Sequence, residues 1–110
     1  MDELVKEIIN LNQLNAPLEE RMKIYSKFAA QVQRALLSLY YAGMNVPFRL
    51  SGSDKQISSF MKALTGEKSY MDSYIKNGLN DHRTLSSRRN LGTSVTRFEN
   101  ETGLKWPFKN

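Results

Sequence analysis

The chain has no cysteine among its 110 residues, which removes disulfides, thiolate nucleophiles, iron–sulfur clusters and cysteine-held zinc together. That composition fits a reducing compartment, and a cytoplasmic protein is the expectation. Histidine is nearly missing as well, since His82 is the single imidazole. A metal site needs several converging ligands, so none is expected, and no cofactor motif is legible. A Ser–His–Asp arrangement would have to rest on His82 beside Asp81, where a surface histidine at a helix start is the commoner case. With six glycines and three prolines, the chain lacks the makings of a disordered or collagenous segment and should fold. Long apolar runs are lacking too. The longest, Ala35 to Met44, stops far short of the ~20 residues that cross a bilayer. The N-terminal MDELVKEIINLNQL has no basic region followed by an apolar stretch and a small-residue cleavage site, so it does not read as a secretory signal.

The most telling absence is of acid. From Arg21 to Ser53 there is no Asp or Glu, while Arg21, Lys23, Lys27, Arg34 and Arg49 all fall in that window. A second acid-free window, His82 to Phe98, holds Arg83, Arg88, Arg89 and Arg97. Cations segregated in this way create a positive field that counterions or a polyanionic partner must neutralise. The net charge of +5 is moderate and is shared by many proteins that bind no polyanion, so the pattern carries more than the sum does.

What is present reads as helix. Leu4, Val5, Ile8, Ile9 and Leu11 recur at three- and four-residue spacing and predict a helix over Asp2 to Leu14, ended by Asn15-Ala16-Pro17. Pro17 to Ala42 is the strongest segment, with Leu18, Met22, Tyr25, Ala29, Val32, Leu36 and Leu39 forming one stripe and Gly43 as its stop. Opposite that stripe, Lys23, Lys27 and Arg34 fall within ~40° of one another at ~100° per residue. Met44 to Gly52, with Val46-Pro47-Phe48, must run extended at least locally. Ser53-Asp54-Lys55-Gln56 is a capping box opening a helix through Ile57, Phe60, Met61 and Leu64. Gly66 either ends or bends it, the same face continues as Met71, Tyr74 and Ile75, and Gly78 closes it. Asn80 or Asp81 caps a last helix presenting Leu85, Leu91, Val95 and Phe98, with Gly92 suggesting close packing and Thr102-Gly103 ending it. The tail Leu104-Lys105-Trp106-Pro107-Phe108 is too aromatic for solvent and should dock, either on its own domain or in a partner.

These elements predict a single all-α domain over residues 1–110. It would be a small bundle or orthogonal array of four to five helices with one long central helix and an extended aromatic C-terminal tail. A long helix in a short chain leaves apolar surface, so a homodimer is one expected assembly.

Two functional readings emerge. Gly78-Leu79-Asn80-Asp81 between helical segments invites a helix-turn-helix, with Glu67 to Asn77 supporting and His82 to Asn90 reading a groove. His82, Arg83, Ser86, Arg88, Arg89 and Asn90 would then face nucleic acid, Arg suiting guanine edges or phosphates and Asn suiting adenine. Lys23, Lys27 and Arg34 would offer a second phosphate-tracking surface, against the plain alternative of a solvated helix face. Tyr40, Tyr41 and Tyr70 could stack on unpaired bases, whereas Tyr25 and Tyr74 sit on apolar stripes and read as core. The expectation is a non-enzymatic nucleic-acid-binding or regulatory protein. The alternative is a small helical protein–protein interaction module, an adaptor or inhibitor anchored by Trp106, Phe108 and Phe48. Thr65-Gly66-Glu67-Lys68-Ser69 bears a superficial likeness to a phosphate loop, but Glu67 separates glycine from lysine and no second glycine precedes it at the required spacing.

Overall fold

A computed structural model of the chain describes residues 8–42 and 49–108. The element order is β1 (Ile8–Asn10), α1 (Leu18–Ala42), β2 (Arg49–Ser51), α2 (Asp54–Asn77) and α3 (His82–Thr102). The described residues are mostly helical, as expected, but they hold three helices rather than four or five, and a short parallel strand pair accompanies them.

The difference begins at the N-terminus. In place of the expected helix, of which residues 2–7 lie outside the described part, Ile8–Asn10 pairs in parallel with Arg49–Ser51, and the Leu11 amide extends the ladder to the Ser51 carbonyl. Burial then alternates with period two: Ile9, Leu11 and Gln13 are buried while Ile8, Asn10, Asn12 and Leu14 are exposed. The β-branched pair Ile8-Ile9 suits this pleat, and apolar residues spaced at both two and three let tertiary pairing choose the strand. Parallel partners need a crossover, which α1 supplies, making a βαβ unit at the head of the chain.

α1 follows the predicted boundaries, and its predicted stripe is buried only in part. Phe28, Val32, Ala35 and Leu36 form its core face, Ile24 and Tyr25 pack at its edge, and Leu18 and Met22 stand 68% and 61% exposed. Val32 and Leu36 belong to the predicted stripe, whereas Phe28 and Ala35 lie beside it.

α2 opens on the predicted capping box: the Gln56 amide donates to Ser53 Oγ at 3.1 Å and the Ser53 amide to Gln56 Oε1 at 2.9 Å. It runs through Gly66 without a break. A Cβ at Gly66 would meet Leu91 Cδ1 of α3 at 3.4 Å, so the close helix approach expected at Gly92 occurs at Gly66 instead, and Gly92 faces open space. The likeness to a phosphate loop dissolves here, because residues 65–69 are all mid-helix, with Glu67 buried and Lys68 paired to Asp72 at 2.9 Å. Asp81 caps α3 through the Arg83 amide at 2.8 Å, and Gly103 ends it in the left-handed region. Tyr74 and Leu85, read as core, are 50% and 40% exposed, and Ile75 is 65% exposed. All three lie towards the α2–α3 turn, whereas the main core gathers at the other end of the pair.

That core is aromatic and draws one ring from each helix and one from the tail. Phe28 stacks on Phe98 with ring centres 5.5 Å apart, and Phe60 meets both of them at 5.8 and 6.2 Å. Trp106 sits edge-on to Phe98 at 5.3 Å and is 2% exposed. Its indole N–H donates to the buried Glu67 carboxylate at 2.9 Å, and its backbone N–H to Glu99 Oε2 at 2.8 Å. Burial pushes the Glu67 carboxyl above its ordinary range, and the indole hydrogen bond partly opposes that rise. The tail therefore closes the core, as its composition suggested.

Candidate functional site

α2 and α3 form an antiparallel hairpin in contact along its whole length. The pairs run in opposite order down the two helices: Gln56 Nε2 reaches the Glu101 carbonyl at 3.0 Å, Gly66 abuts Leu91, and Ser73 Oγ lies 3.1 Å from Thr84 Oγ1. A helix-turn-helix unit crosses at ~90–120° and touches mainly near its turn, so the expected groove-reading geometry is not the one adopted here. Phe60 and Phe98 meet α1 and the tail in one core at the far end of the hairpin, while the Gly66–Leu91 approach and the Ser73–Thr84 pair hold the helices lengthwise towards the turn.

The candidate nucleic-acid residues are placed as follows. Arg83 is exposed but held by Asp81, which accepts from its Nε at 3.1 Å and from a terminal nitrogen at 3.2 Å. Those hydrogen bonds hold the Asp81 carboxyl below its ordinary range and lift the Arg83 guanidinium. Arg88, Arg89, Asn90 and His82 are exposed and Ser86 is half-buried. At ~100° per residue, Arg88 and Arg89 diverge by ~100°, and each lies ~120–140° from Arg83, so the three arginines point three ways. Lys23, Lys27 and Arg34 do share an exposed face of α1, turned away from Phe28 and Val32. Tyr70 and Tyr74 stack on each other at 6.4 Å.

Of the partner anchors, Trp106 is buried in the chain's own core and Phe108 packs against it, half-buried. Of the two tail readings, docking on its own domain is the one adopted, and these rings are committed to the fold. Phe48 lies outside the described residues.

What the sequence reading missed is the outer seam of the hairpin. On α2, Lys55, Ser58, Lys62, Thr65 and Ser69 follow one another at three- and four-residue steps; on α3, Ser87, Asn90, Ser94, Arg97 and Glu101 do the same. Both rows flank the α2–α3 contact on the side away from the aromatic core. Lys55, Lys62 and Arg97 line one hollow with Ser58, Ser59 and Glu101. It shares Ser58 and Lys62 with a second, of about 500 Å³, rich in hydroxyls from Thr65, Ser69, Ser87 and Ser94. Through Arg97 and Glu101 it also adjoins a hollow along α3 that includes Arg89 and Thr93. Lys55, Lys62, Arg89 and Arg97 form no ion pair among the described residues. The signal was available, since Lys55, Lys62, Ser69 and Lys76 share one face of α2.

Among the described residues no group of three His, Asp or Glu side chains is placed to hold a metal ion. None of their helices is long and apolar enough to cross a membrane. Comparison of the chain with protein-family models, curated proteins and solved structures found no match.

Proposed function

We propose that this is a non-enzymatic nucleic-acid-binding protein that holds a phosphate backbone along the outer seam of the α2–α3 hairpin. One observation carries the reading: Lys55, Lys62 and Arg97, from two helices, converge on one hollow with a single carboxylate, Glu101, for company. Cations without carboxylate partners retain their charge for an external anion. Beside them, the hydroxyls of Thr65, Ser69, Ser87 and Ser94 are donors of the kind that contact phosphate oxygens in a sequence-independent manner. Asn90 lies on the same seam and is the residue suited to a base edge. Arg89 extends the surface along α3, and the Lys23, Lys27 and Arg34 face of α1 offers a second basic surface on the opposite side of the core.

The test is anisotropy of a fluorescent oligonucleotide, single- and double-stranded, titrated at several salt concentrations. The variant replaces Lys55, Lys62 and Arg97 by Gln. Each lost phosphate contact lowers the salt slope by roughly 0.7 for a single strand or 0.9 for a duplex, so the triple variant should lose a slope of roughly 2 to 3. An unchanged slope, or no retention of either oligonucleotide at low salt, removes the reading.

A further inference from the structure

A second surface stands apart from the seam, between the start of α1 and the segment that follows α3. Leu18, Met22 and Tyr25 of α1 face Leu104 across a hollow of about 190 Å³. Leu18 and Met22 are 68% and 61% exposed, so two large apolar side chains sit uncovered at its mouth. Hollows that take whole small molecules run to about 300–1,000 Å³, and this one has the scale of a single inserted side chain.

Its charge is equally specific. Arg21 and Lys105 line the hollow, and among the described residues no carboxylate does. One Arg21 terminal nitrogen donates to the Ala16 carbonyl at 3.2 Å, while its Nε is buried and has no acceptor among the described residues. Arg21 and Lys105 thus give the apolar hollow a positive rim. An occupant bringing both an apolar side chain and an anionic oxygen would match the apolar lining and the positive rim together.

We infer that this hollow is a docking site for a peptide segment of another protein in which a Leu-, Met- or Phe-type side chain is followed closely by an Asp or Glu. The apolar side chain inserts between Leu18, Met22, Tyr25 and Leu104, and the carboxylate accepts from Arg21 with Lys105 alongside. The inference does not depend on the nucleic-acid seam, because the two surfaces share no residue.

The probe is a library of short random peptides displayed on phage and selected on the immobilised full chain at physiological salt. Enrichment of an apolar residue next to Asp or Glu is expected. Arg21→Gln should weaken the selected peptides roughly ten- to a hundredfold, the range of one hydrogen bond to a charged group. Met22→Glu alters an exposed side chain, places a carboxylate beside Arg21, and should abolish binding without lowering the melting temperature, which keeps the test valid if Arg21→Gln fails to fold. No enriched motif, or selected peptides that bind both variants undiminished, overturns the inference. A concentration-dependent dimer in sedimentation that Met22→Glu dissolves would also overturn it, by assigning the hollow to a second copy of the chain.

Discussion

Replacing Trp106 by Phe tests whether the tail is a structural member of the core. The indole is 2% exposed, touches rings from all three helices and donates its N–H to Glu67 at 2.9 Å. Phe keeps most of the ring contact and removes the donor. A buried acceptor left unsatisfied costs about 1–3 kcal/mol, more when charged, and the smaller ring adds a cavity of about 1 kcal/mol. The sum, about 2–4 kcal/mol, is a large fraction of the 5–15 kcal/mol typical of a whole domain. It also has a pH signature. Burial raises the Glu67 carboxyl above its ordinary 4.5, so the folded state holds that proton more tightly than the unfolded chain does. Its contribution to stability is therefore fullest below about 4.5 and declines as pH rises through the elevated folded value. Loss of the indole N–H, which opposes the rise, lifts that value further and steepens the decline. Trp106→Phe should thus destabilise more at pH 7 than at pH 4, measured by urea unfolding followed with far-ultraviolet circular dichroism, since the only tryptophan is gone. A loss below about 1 kcal/mol at both pH values would refute the packing argument. An equal loss at both would refute the protonation argument alone.

Glu67→Gln keeps an oxygen for the indole and removes the titration, so stability should vary less than wild type between pH 4.5 and neutrality in the same unfolding series. Gly103→Ala forces a side chain into the left-handed region and to 2.8 Å from the Gln13 carbonyl, a cost of about 1–3 kcal/mol or more. Gly92→Ala, where a Cβ meets nothing, should stabilise by about 0.5–1 kcal/mol; thermal melts of the two variants should move in opposite directions. Gln56→Ala removes a capping box and the bond to the Glu101 carbonyl, and should cost about 1–3 kcal/mol in denaturant midpoint. Arg83→Ala should return the Asp81 carboxyl towards its ordinary range in a side-chain NMR titration, while an unmoved Asp81 would show that the backbone cap alone depresses it.

Local chemistry was readable in advance wherever a few neighbouring residues decide the outcome. The Ser53–Gln56 box and the Gly78 and Gly103 stops sit where the sequence put them, and Asp81 is the one of its two candidate caps adopted, because each closes its hydrogen bonds within one turn. The span of α1 was legible from its 3.6-residue period, and the docking of the tail from its aromatic composition. The strand at Ile8–Asn10 was not legible: its partner lies some forty residues away at Arg49–Ser51, and Ile8, Ile9 and Leu11 satisfy helical and strand spacing alike. Nor was it visible that Phe28, rather than Leu18 or Met22, would face Phe98 and Trp106, since adjacent stripes on one helix differ only in what packs against them.

The candidate surfaces divide in the same way. Composition by itself established a cation excess segregated from acid, and periodicity aligned Lys23, Lys27 and Arg34 on one face, because both are properties of the chain taken in order. Tertiary structure alone brought Lys55 and Lys62 of α2 beside Arg97 of α3, turned Trp106 inward, and left Leu18 and Met22 outside beside Arg21. Each of those outcomes depends on which helix faces lie against each other, and that choice is made by the burial of four aromatic rings distant in sequence rather than by any local preference.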